Sequence, residues 1–523
     1  MARDAAPLHP DAAPSTLGAL LRRAAARHGD APALSDGRRR LTYAQYDAEV
    51  DRLARALLRA GVRPREHVAL WMRNCVEWVL TEMAVFRLGA VLVPLSPRGT
   101  SEEAAYILAQ SDSRTLVLDE AMQIPPAARE GLQRVIRLGA ARKGEMSFEA
   151  LPAGPHADLE ETAGVDDTAI IIYTSGSTAA PKGVMLGHGQ ITRNLYEVRV
   201  IPEELTSADR VLYVLPMCHI MGALNSVVGM MHVGGCLALR EGFSPQATLE
   251  AIEAERPTWF YGVTAMFVDL MRSGLLGRHD TSSLRRFTLF PGPFKREFLA
   301  ELLSAFRAEG LNTRYGLTET TNGLTSAATW RDGLDKVVES IGRPLGSMEF
   351  QIVDPATRHE VAAGEDGELR VRGFAVMQGY YRNEAETRKV IDPEGWFYTG
   401  DLMCRDEAGY FYFKGRIKDA LKTLGNNVSC LEVEAVLQSH PAVASAALVG
   451  IPDERASEVG AAFVQLRAGM RASGAELAEH CRRSLAGYKV PRHFRFVETF
   501  PLSTSGKIHK PALRERILSE TVS

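Results

Sequence analysis

The stretch Ala169-Ile-Ile-Ile-Tyr-Thr-Ser-Gly-Ser-Thr-Ala-Ala-Pro-Lys-Gly-Val184 carries the strongest structural signal in this sequence. Its apolar start, 169–173, predicts a buried strand, and the small residues 174–178 follow directly, four of them with a hydroxyl group. The backbone N–H groups and hydroxyls of such a loop can surround an anion, and Gly176 lets the backbone approach it closely. Lys182 then adds a positive charge. We therefore predict a strand that leads into an anion-binding loop.

This loop differs from two common phosphate-binding motifs. A Walker P-loop requires Ser or Thr after its lysine, whereas Lys182 is followed by Gly183. A dinucleotide fingerprint requires three glycines, and Gly187-His-Gly189 lacks the third. A flexible Ser/Thr loop without a ligand is the alternative interpretation. The combination of strand, hydroxyl run and Pro-Lys-Gly exit favours phosphate binding.

Helical and strand-like patterns alternate on both sides of this stretch. Thr16–His28 and Tyr43–Ala60 have apolar residues at helical spacing, and short apolar runs such as His67–Met72 and Val91–Leu95 follow them. This alternation predicts parallel sheets that are covered by helices on both faces. The weakly charged segment Ala223–Leu239 predicts a buried helix leading into a strand, since a membrane span needs about 20 apolar residues.

The pattern of predicted elements changes after about Ile341, where shorter strands are separated by turn residues. From Arg416 onward the pattern becomes βαβ-like, with a helix at Leu431–His440 and strands near Ala444–Val449 and Ala461–Leu466. We predict an α/β protein whose large lobe has two parallel-rich sheets and a small β subdomain, and whose C-terminal domain is small, mobile and α+β. The predicted parts are a mobile lead-in at 1–15, a large domain at 16–415 with its β subdomain at about 341–415, and the C-terminal domain at 416–523.

Composition excludes several classes of protein. The chain has 523 residues, 46% hydrophobic and 24% charged, which is typical of a soluble protein with more than one domain. The formal net charge of −3 disfavours a nucleic-acid binder. The 6 cysteines are scattered and form no CxxC pair, so we expect reduced thiols rather than a disulfide framework or a zinc site. We predict a cytoplasmic protein without an integral membrane segment.

Further motifs follow in a characteristic order on both sides of the loop. They are Thr42-Tyr43, Gly89-Ala-Val-Leu-Val-Pro94, Tyr315-Gly-Leu-Thr-Glu319, Gly342-Arg-Pro344, Gly367-Glu-Leu-Arg-Val-Arg-Gly373, Gly395-Trp-Phe-Tyr-Thr-Gly-Asp-Leu402, Gly415-Arg-Ile-Lys-Asp419 and Ser505-Gly-Lys507. From about Leu41 to its end, the chain resembles the adenylate-forming superfamily, which includes acyl- and aryl-CoA synthetases, peptide-synthetase adenylation domains and luciferase. The resemblance is closest to acyl-CoA ligases, and it implies ATP, Mg²⁺ and CoA as cofactors.

The resemblance also implies roles for individual residues. Lys507 is the implied catalytic lysine that bridges the carboxylate and the α-phosphate, although a lysine near a chain end is often merely solvated. Glu319 is the implied Mg²⁺ ligand, and Thr318 contacts the α-phosphate. Lys418 corresponds to the interdomain hinge, where a plain surface lysine is the alternative. The residues implied to bind ATP are Thr174, Ser175, Gly176, Ser177, Thr178, Lys182, Gly292, Pro293, Arg314, Tyr315, Gly316, Asp401, Phe413 and Arg416; within this set Tyr315 would pack on adenine, and Asp401 and Arg416 would bind the ribose.

The segment 215–222 corresponds to the family's acyl pocket. Pro216–Met231 contains no Asp or Glu, which disfavours an α-amino acid substrate because a buried ammonium group needs a carboxylate partner. Nearby methionines suggest an adaptable apolar cavity, although they are also common in an ordinary core. The implied acyl contacts are His219, Gly222, Gly262 and Thr264, and His219 could equally be a half-buried structural histidine. We expect a hydrophobic acid, bulky acids included.

The sequence departs from the family pattern at several positions. Ala179 and Pro291-Gly292-Pro293 differ within the ATP-binding motifs, and Leu424 and Cys430 differ near Gly425, where CoA would pass. We expect adenylation to persist, while Leu424 narrows the route of the thiol. The predicted function is ATP-dependent formation of acyl-AMP and then acyl-CoA. The alternatives are transfer of the acyl-AMP to a carrier-protein thiol or a partner ligase, with weak use of CoA, and a nucleotide-binding scaffold without catalysis.

Overall fold

A computed structural model divides the chain into two compact units. The first unit is Met1–Phe350 with Val371–Phe397, and the second is Gln351–Arg370 with Tyr398–Ser523. These units do not begin and end where we predicted the domains, and the predicted boundary at 415/416 stays a prediction. The structure describes residues 13–151, 159, 162–174, 180–290, 296–321, 326–417, 421–423, 426–453, 457–501 and 508–521.

Helices are distributed along the whole described chain. Their bounds are α1 Leu17–His28, α2 Tyr43–Arg59, α3 Val76–Arg87, α4 Ser101–Gln110, α5 Pro126–Arg129, α6 His188–Leu195, α7 Ile201–Glu203, α8 Val227–Val233, α9 Pro245–Glu255, α10 Thr264–Arg272, α11 Arg296–Phe306, α12 Leu334–Glu339, α13 Glu384–Val390, α14 Cys430–Gln438, α15 Gly474–Arg482 and α16 Lys510–Thr521. Two π-helical segments, Tyr196–Val200 and Met221–Ser226, precede α7 and α8. The predicted buried helix before a strand at Ala223–Leu239 is therefore present. Among the described residues, no helix combines the length and the apolar character needed to cross a bilayer.

Strands alternate with these helices. Their bounds are β1 Pro32–Ser35, β2 Arg40–Thr42, β3 His67–Trp71, β4 Val91–Pro94, β5 Thr115–Asp119, β6 Arg134–Leu138, β7 Met146–Ser147, β8 Thr168–Thr174, β9 Lys182–Gly187, β10 Arg210–Tyr213, β11 Cys236–Leu239, β12 Trp259–Val263, β13 Arg286–Phe290, β14 Gly310–Tyr315, β15 Ser326–Ala328, β16 Arg343–Pro344, β17 Glu349–Val353, β18 Gly367–Arg372, β19 Gly379–Tyr380, β20 Phe397–Arg405, β21 Phe411–Arg416, β22 Leu421–Thr423, β23 Asn426–Val428, β24 Val443–Asp453, β25 Ser457–Leu466 and β26 His493–Phe496.

The first unit contains two large, mostly parallel sheets. One has nine strands in the order β16-β15-β14-β13-β12-β10-β11-β1-β2, and the other has eight in the order β19-β9-β8-β4-β3-β5-β6-β7. Their central strands are fully buried, which explains why they read as continuous apolar runs rather than alternating patterns. The predicted α/β class with two parallel-rich sheets is confirmed.

The Thr42-Tyr43 motif shows how sequence joins helix to sheet. The Thr42 hydroxyl accepts from the backbone N–H of Gln45, and the Gln45 side-chain oxygen accepts from the backbone N–H of Thr42, so α2 begins with a capping box. The buried Tyr43 hydroxyl donates to the backbone carbonyls of Met230 and Gly235, at 2.9 and 2.7 Å. This motif therefore anchors α2 on α8 and on the residues between α8 and β11.

The second unit contains most of a four-stranded sheet, β17-β18-β20-β21, and a five-stranded sheet in which β26 also pairs with β25. The strands β25 and β26 are parallel and α15 connects them, as the βαβ-like pattern predicted. The strands β24 and β25 pair antiparallel, in agreement with the predicted α+β class of the C-terminal domain. Only 454–456 separate these two strands, whereas a parallel connection needs roughly a dozen residues.

A buried ionic network joins α7 to the nine-stranded sheet. The Glu203 carboxylate pairs with the Arg314 guanidinium at 2.7 Å and with that of Arg199 at 3.3 Å. The Tyr261 hydroxyl donates to Glu203 at 2.6 Å and accepts from Arg199 at 2.8 Å. The side chains of the three ionised residues are 0% exposed. One carboxylate therefore pairs with two guanidinium groups that have no access to water, and the three charged side chains keep a net charge of +1.

We expect Glu203→Gln to lower the free energy of unfolding by about 3–5 kcal/mol, because two buried cations lose their carboxylate. Urea unfolding followed by tryptophan fluorescence measures this, since all 5 tryptophans belong to the first unit. Glu204→Gln is the matched control, because Glu204 is exposed and pairs with Arg331 at the surface; we expect a change below about 1 kcal/mol. Equal losses in both variants would contradict the role of the network.

Candidate active site

Most of the predicted acyl and nucleotide residues of the first unit lie at one edge of the nine-stranded sheet. The strands β10, β12, β13 and β14 are neighbours and run parallel, so their carboxyl ends meet at this edge. The segment 215–222 follows β10, Gly262 and Thr264 mark the end of β12, and Tyr315 ends β14, with 316–319 directly after it. Crevices at the carboxyl ends of parallel strands are where such folds bind ligands.

The acyl-pocket segment has a densely packed backbone. A Cβ at Gly222 would lie 2.5 Å from Met217 Cα, and one at Gly262 would lie 2.8 Å from Phe267 Cε2, so both glycines are needed for packing. His219 is exposed to solvent, yet surrounding protein and, secondarily, the Arg98 guanidinium lower its pKa. The His219 ring is therefore accessible to solvent and partly desolvated by its neighbours. Its imidazole is neutral at neutral pH.

Asn74 fixes this segment from the neighbouring sheet. Its side-chain amide donates to the carbonyls of Leu215 and Arg240 at 2.8 and 2.9 Å, and its oxygen accepts from the Met217 N–H at 2.9 Å. Asn74 follows β3 and is 6% exposed. Our reading of the sequence missed it, since a lone asparagine after a strand gives no signal of which backbone it will contact.

The predicted phosphate loop connects two antiparallel strands. Thr174 at the end of β8 faces Lys182 at the start of β9 in the strand register. A Cβ at Gly183 would lie 2.8 Å from Ile171 Cγ2, which explains the glycine after the lysine. The Tyr106 hydroxyl on α4 donates to the Pro181 carbonyl at 3.1 Å. Both ends of the loop are therefore held firmly, with Lys182 at its exit.

Lys182, Glu319, Tyr380 and Glu386 form a connected group that we call the lysine–glutamate cluster. The Tyr380 hydroxyl donates to Glu319 Oε1 at 3.0 Å, and the Lys182 ammonium lies 5.1 Å from the centre of the Tyr380 ring. The Lys182 ammonium also pairs with the Glu386 carboxylate at 2.5 Å. Burial and the Glu319 carboxylate raise the pKa of Tyr380 far above its ordinary value, so its hydroxyl stays a donor. The cluster brings the predicted phosphate-binding lysine close to the predicted metal ligand.

The backbone around β19 connects the two sides of this cluster. Tyr380 pairs with Val184 of β9, while the N–H of Met377 donates to the Glu319 carbonyl at 2.8 Å. The Thr321 hydroxyl donates to the Ala375 carbonyl at 2.7 Å. Tyr380 and Glu386 were missed in the sequence, because they lie in a turn-rich region without a periodic pattern.

The structure places Arg314 differently from the other predicted ATP residues. Its guanidinium is buried, and it donates to Glu203 and to the Val198 carbonyl at 2.7 Å each. These contacts favour a structural role, and the predicted contact with ATP has no support from this placement. Tyr315, next in β14, is 7% exposed, and Thr318 and Glu319 are half-buried in a short 3₁₀ segment.

In the second unit, the predicted ribose-binding pair is adjacent in the β20–β21 ladder. Asp401 and Arg416 are register partners, and Arg416 Nε lies 2.8 Å from Asp401 Oδ1. The Asp401 carboxylate is 1% exposed while the Arg416 side chain is 42% exposed, so the guanidinium forms the open side of the pair. Phe413 lies on β21 and is also exposed.

The remaining predicted site residues lie outside the described part of the chain. They are Ser175, Gly176, Ser177, Thr178, Gly292, Pro293, Lys418, Leu424, Gly425 and Lys507. Within the described part, no group of three or more His, Cys, Asp or Glu side chains could hold a metal ion. Glu319 would thus contribute a single carboxylate, which suits Mg²⁺ that is bound mainly by phosphate oxygens.

Comparisons with known proteins identify the family of this chain. Residues 21–381 match the family model of the AMP-binding enzyme, and 432–507 match that of the AMP-binding enzyme C-terminal domain. The chain is 34% identical to a feruloyl-CoA synthase of Amycolatopsis sp over 93% of its own length and 96% of that protein. It is 30% identical to the mitochondrial medium-chain acyl-CoA ligase ACSF2 of Danio rerio, over 96% and 88% of the two chains.

A solved structure resembles the whole chain. ATP-bound MatB from Rhodopseudomonas palustris superposes with a TM-score of 0.86 at 28% identity, covering 96% of this chain and 99% of that one. The family predicted from the sequence motifs is confirmed. The chain is an enzyme of the AMP-binding family and belongs to its adenylate-forming acyl-CoA synthetases.

Proposed function

We propose that the enzyme activates a hydrophobic carboxylic acid, bulky acids included, by attack on the α-phosphate of ATP, and then transfers the acyl group to the thiol of CoA. The lysine–glutamate cluster carries this proposal, because it joins the cation at the exit of the hydroxyl-rich loop to a half-buried carboxylate. Formation of the acyl-adenylate expels pyrophosphate and depends on charge neutralisation and alignment more than on a base.

Residues of the cluster and other predicted site residues have distinct roles in this reaction. Lys182 neutralises charge on the β- and γ-phosphates, and Thr318 contacts the α-phosphate. Tyr380 occupies one oxygen of Glu319, which leaves the other oxygen for Mg²⁺. When bound, Mg²⁺ would neutralise developing charge on the phosphates. In the second unit, Asp401 and Arg416 bind the ribose, Lys418 acts as a hinge and Lys507 stabilises the reacting oxygens.

The neutral His219 and the acyl-pocket segment support an uncharged acyl group. The surrounding protein desolvates His219 and lowers its pKa, so the ring adds no positive charge at neutral pH. Met217, which lies within the segment, is buried, and this favours an apolar chain or ring. The names of two relatives give concrete acids to compare with this expectation: ferulate and medium-chain fatty acids.

The acyl acceptor has two candidates. CoA is the first, since the relatives are CoA ligases. The resemblance places Leu424 beside the route of the CoA thiol, at a position where CoA-forming members often have a smaller residue, and this favours transfer to a carrier-protein thiol or a partner ligase as the second candidate. We also propose that the small domain begins near residue 416, and that the enzyme acts in the cytoplasm.

Pyrophosphate release across ferulate, fatty acids of graded length, polycyclic acids and a short dicarboxylate tests the proposal, with and without CoA. Release that CoA accelerates, with an acyl-CoA product, is the expected result. Acyl-AMP that accumulates despite CoA would instead support transfer to another thiol. Absence of release with every acid would contradict the proposed function.

We expect Lys507→Ala to slow acid-dependent exchange of labelled pyrophosphate into ATP by about 10²–10³-fold, because one preorganised donor to the reacting oxygens is lost. Lys510→Ala is the matched control, since it removes a nearby lysine that pairs with Glu434 at 2.7 Å. We expect this control to keep most of the exchange. Exchange by Lys507→Ala at the parent's rate would rule out the role of Lys507.

We expect Asn74→Ala to raise the KM for the acid at least about fivefold, because the segment 215–217 loses two side-chain hydrogen bonds and small misplacements at a site are costly. The KM for ATP should stay within about twofold, since Asn74 contacts none of the predicted ATP residues that the structure describes. Steady-state kinetics with the best acid from the screen gives both constants. A parallel rise in both would show a general loss of structure instead.

A further inference from the structure

Glu386 contacts the lysine of the phosphate loop from outside that loop. Its carboxylate pairs with the Lys182 ammonium at 2.5 Å, and the two side chains are only 20% and 12% exposed. Hydrogen bonds from Lys182 and Lys389 lower the pKa of Glu386 to about 2, so it is ionised throughout the physiological range. The Lys182–Glu386 ion pair is therefore largely shielded from solvent, unlike an ion pair on the open surface.

The backbone holds Glu386 in a fixed position relative to Lys182. The Asn383 side chain accepts from the Glu386 N–H and caps α13. The Thr387 hydroxyl accepts from the Tyr380 N–H at 2.9 Å, which ties α13 to β19. Since β19 pairs with β9, the carboxylate and the ammonium stand on connected strands and a capped helix. The ion pair joins two rigid elements.

The charge on Glu386 is balanced on its other side. Lys389, one helical turn along α13, pairs with the same carboxylate and is 69% exposed. The ammonium groups of Lys182 and Lys389 carry +2, and the carboxylates of Glu386 and of Glu319 in the same cluster carry −2. Removal of the Glu386 charge would by itself make the surroundings of Lys182 more positive. An ammonium group has three N–H donors, and one bond to Glu386 leaves two of them for other acceptors.

We propose that Glu386 is a positioning residue that orients the Lys182 ammonium for the phosphates of ATP and thereby sets ATP affinity. This inference rests on the proposed function, and it assigns a role to a residue outside the recognised motifs. It also fixes the sign of an experiment. If Glu386 acted by charge alone, its neutralisation would strengthen the binding of a polyanion; if it acts by orientation, neutralisation weakens that binding.

Calorimetric titration with MgATP measures this effect directly, without any acid. We expect Glu386→Gln to weaken MgATP binding by about tenfold, because a charge-assisted hydrogen bond that orients Lys182 is lost. Glu386→Asp keeps the charge but shortens the reach, and we expect an intermediate loss. In steady-state pyrophosphate release, the KM for ATP should rise by a similar factor, while kcat at saturating ATP should stay within about twofold, as for loss of uniform binding.

Glu384→Gln is the matched control on the same helix. Glu384 is 85% exposed and pairs only with Arg388 among the ion pairs of the described residues, at 3.2 Å. This variant makes the same change in net charge, and we expect MgATP affinity within about twofold of the parent. Unchanged melting temperatures show that each variant is folded.

Three outcomes would overturn the inference. Affinity of Glu386→Gln equal to or tighter than that of the parent would show that Glu386 does not orient Lys182. Equal weakening in the Glu384→Gln control would assign the effect to net charge. A fall in kcat with an unchanged KM for ATP would place Glu386 elsewhere in the reaction. A parent enzyme that does not bind MgATP would contradict the proposed function itself.

Discussion

The pairing of β9 with both β8 and β19 is the constraint on which the candidate active site depends. One neighbour, β8, delivers the hydroxyl-rich loop, and the other, β19, delivers Tyr380. Backbone hydrogen bonds fix this three-strand arrangement independently of any ligand, because each strand pairs along its register. The lysine at the start of β9 thus follows the hydroxyl-rich loop in the chain and lies beside the Tyr380 ring, whose hydroxyl donates a hydrogen bond to Glu319.

Charged groups in the first unit serve two distinct purposes. Glu203, Arg199 and Arg314 are fully buried, and the Glu203 carboxylate pairs with both guanidinium groups where α7 meets the nine-stranded sheet. Lys182 and Glu386 are partly exposed, and their pair retains donors that can meet a ligand. Removal of a partner is costly in the first group because no water can replace it, whereas in the second group it changes orientation more than stability.

The acyl side of the site depends on packing rather than charge. Gly222 and Gly262 allow backbone and ring atoms to approach within distances that a Cβ would block. Asn74, at another strand end, makes two hydrogen bonds to the segment 215–217 and a third to the Arg240 carbonyl. A pocket with this construction selects by shape and polarity, and its neutral histidine adds polarity without charge.

The sequence by itself determined the α/β class, most helix and strand positions, the family and the loop before Lys182, because apolar periodicity and ordered local motifs are encoded within short segments. It did not determine that β9 returns antiparallel beside β8, that β24 pairs antiparallel with β25, or that Arg314 is buried against Glu203. It also gave no signal for Asn74, Tyr380 or Glu386. Both hairpins join strands that are close in the chain, and apolar runs alone do not encode the direction in which a strand pairs. The contacts of Arg314, Asn74, Tyr380 and Glu386 join residues 61 to 204 positions apart. Such contacts exist only once the strands have paired and brought distant side chains together.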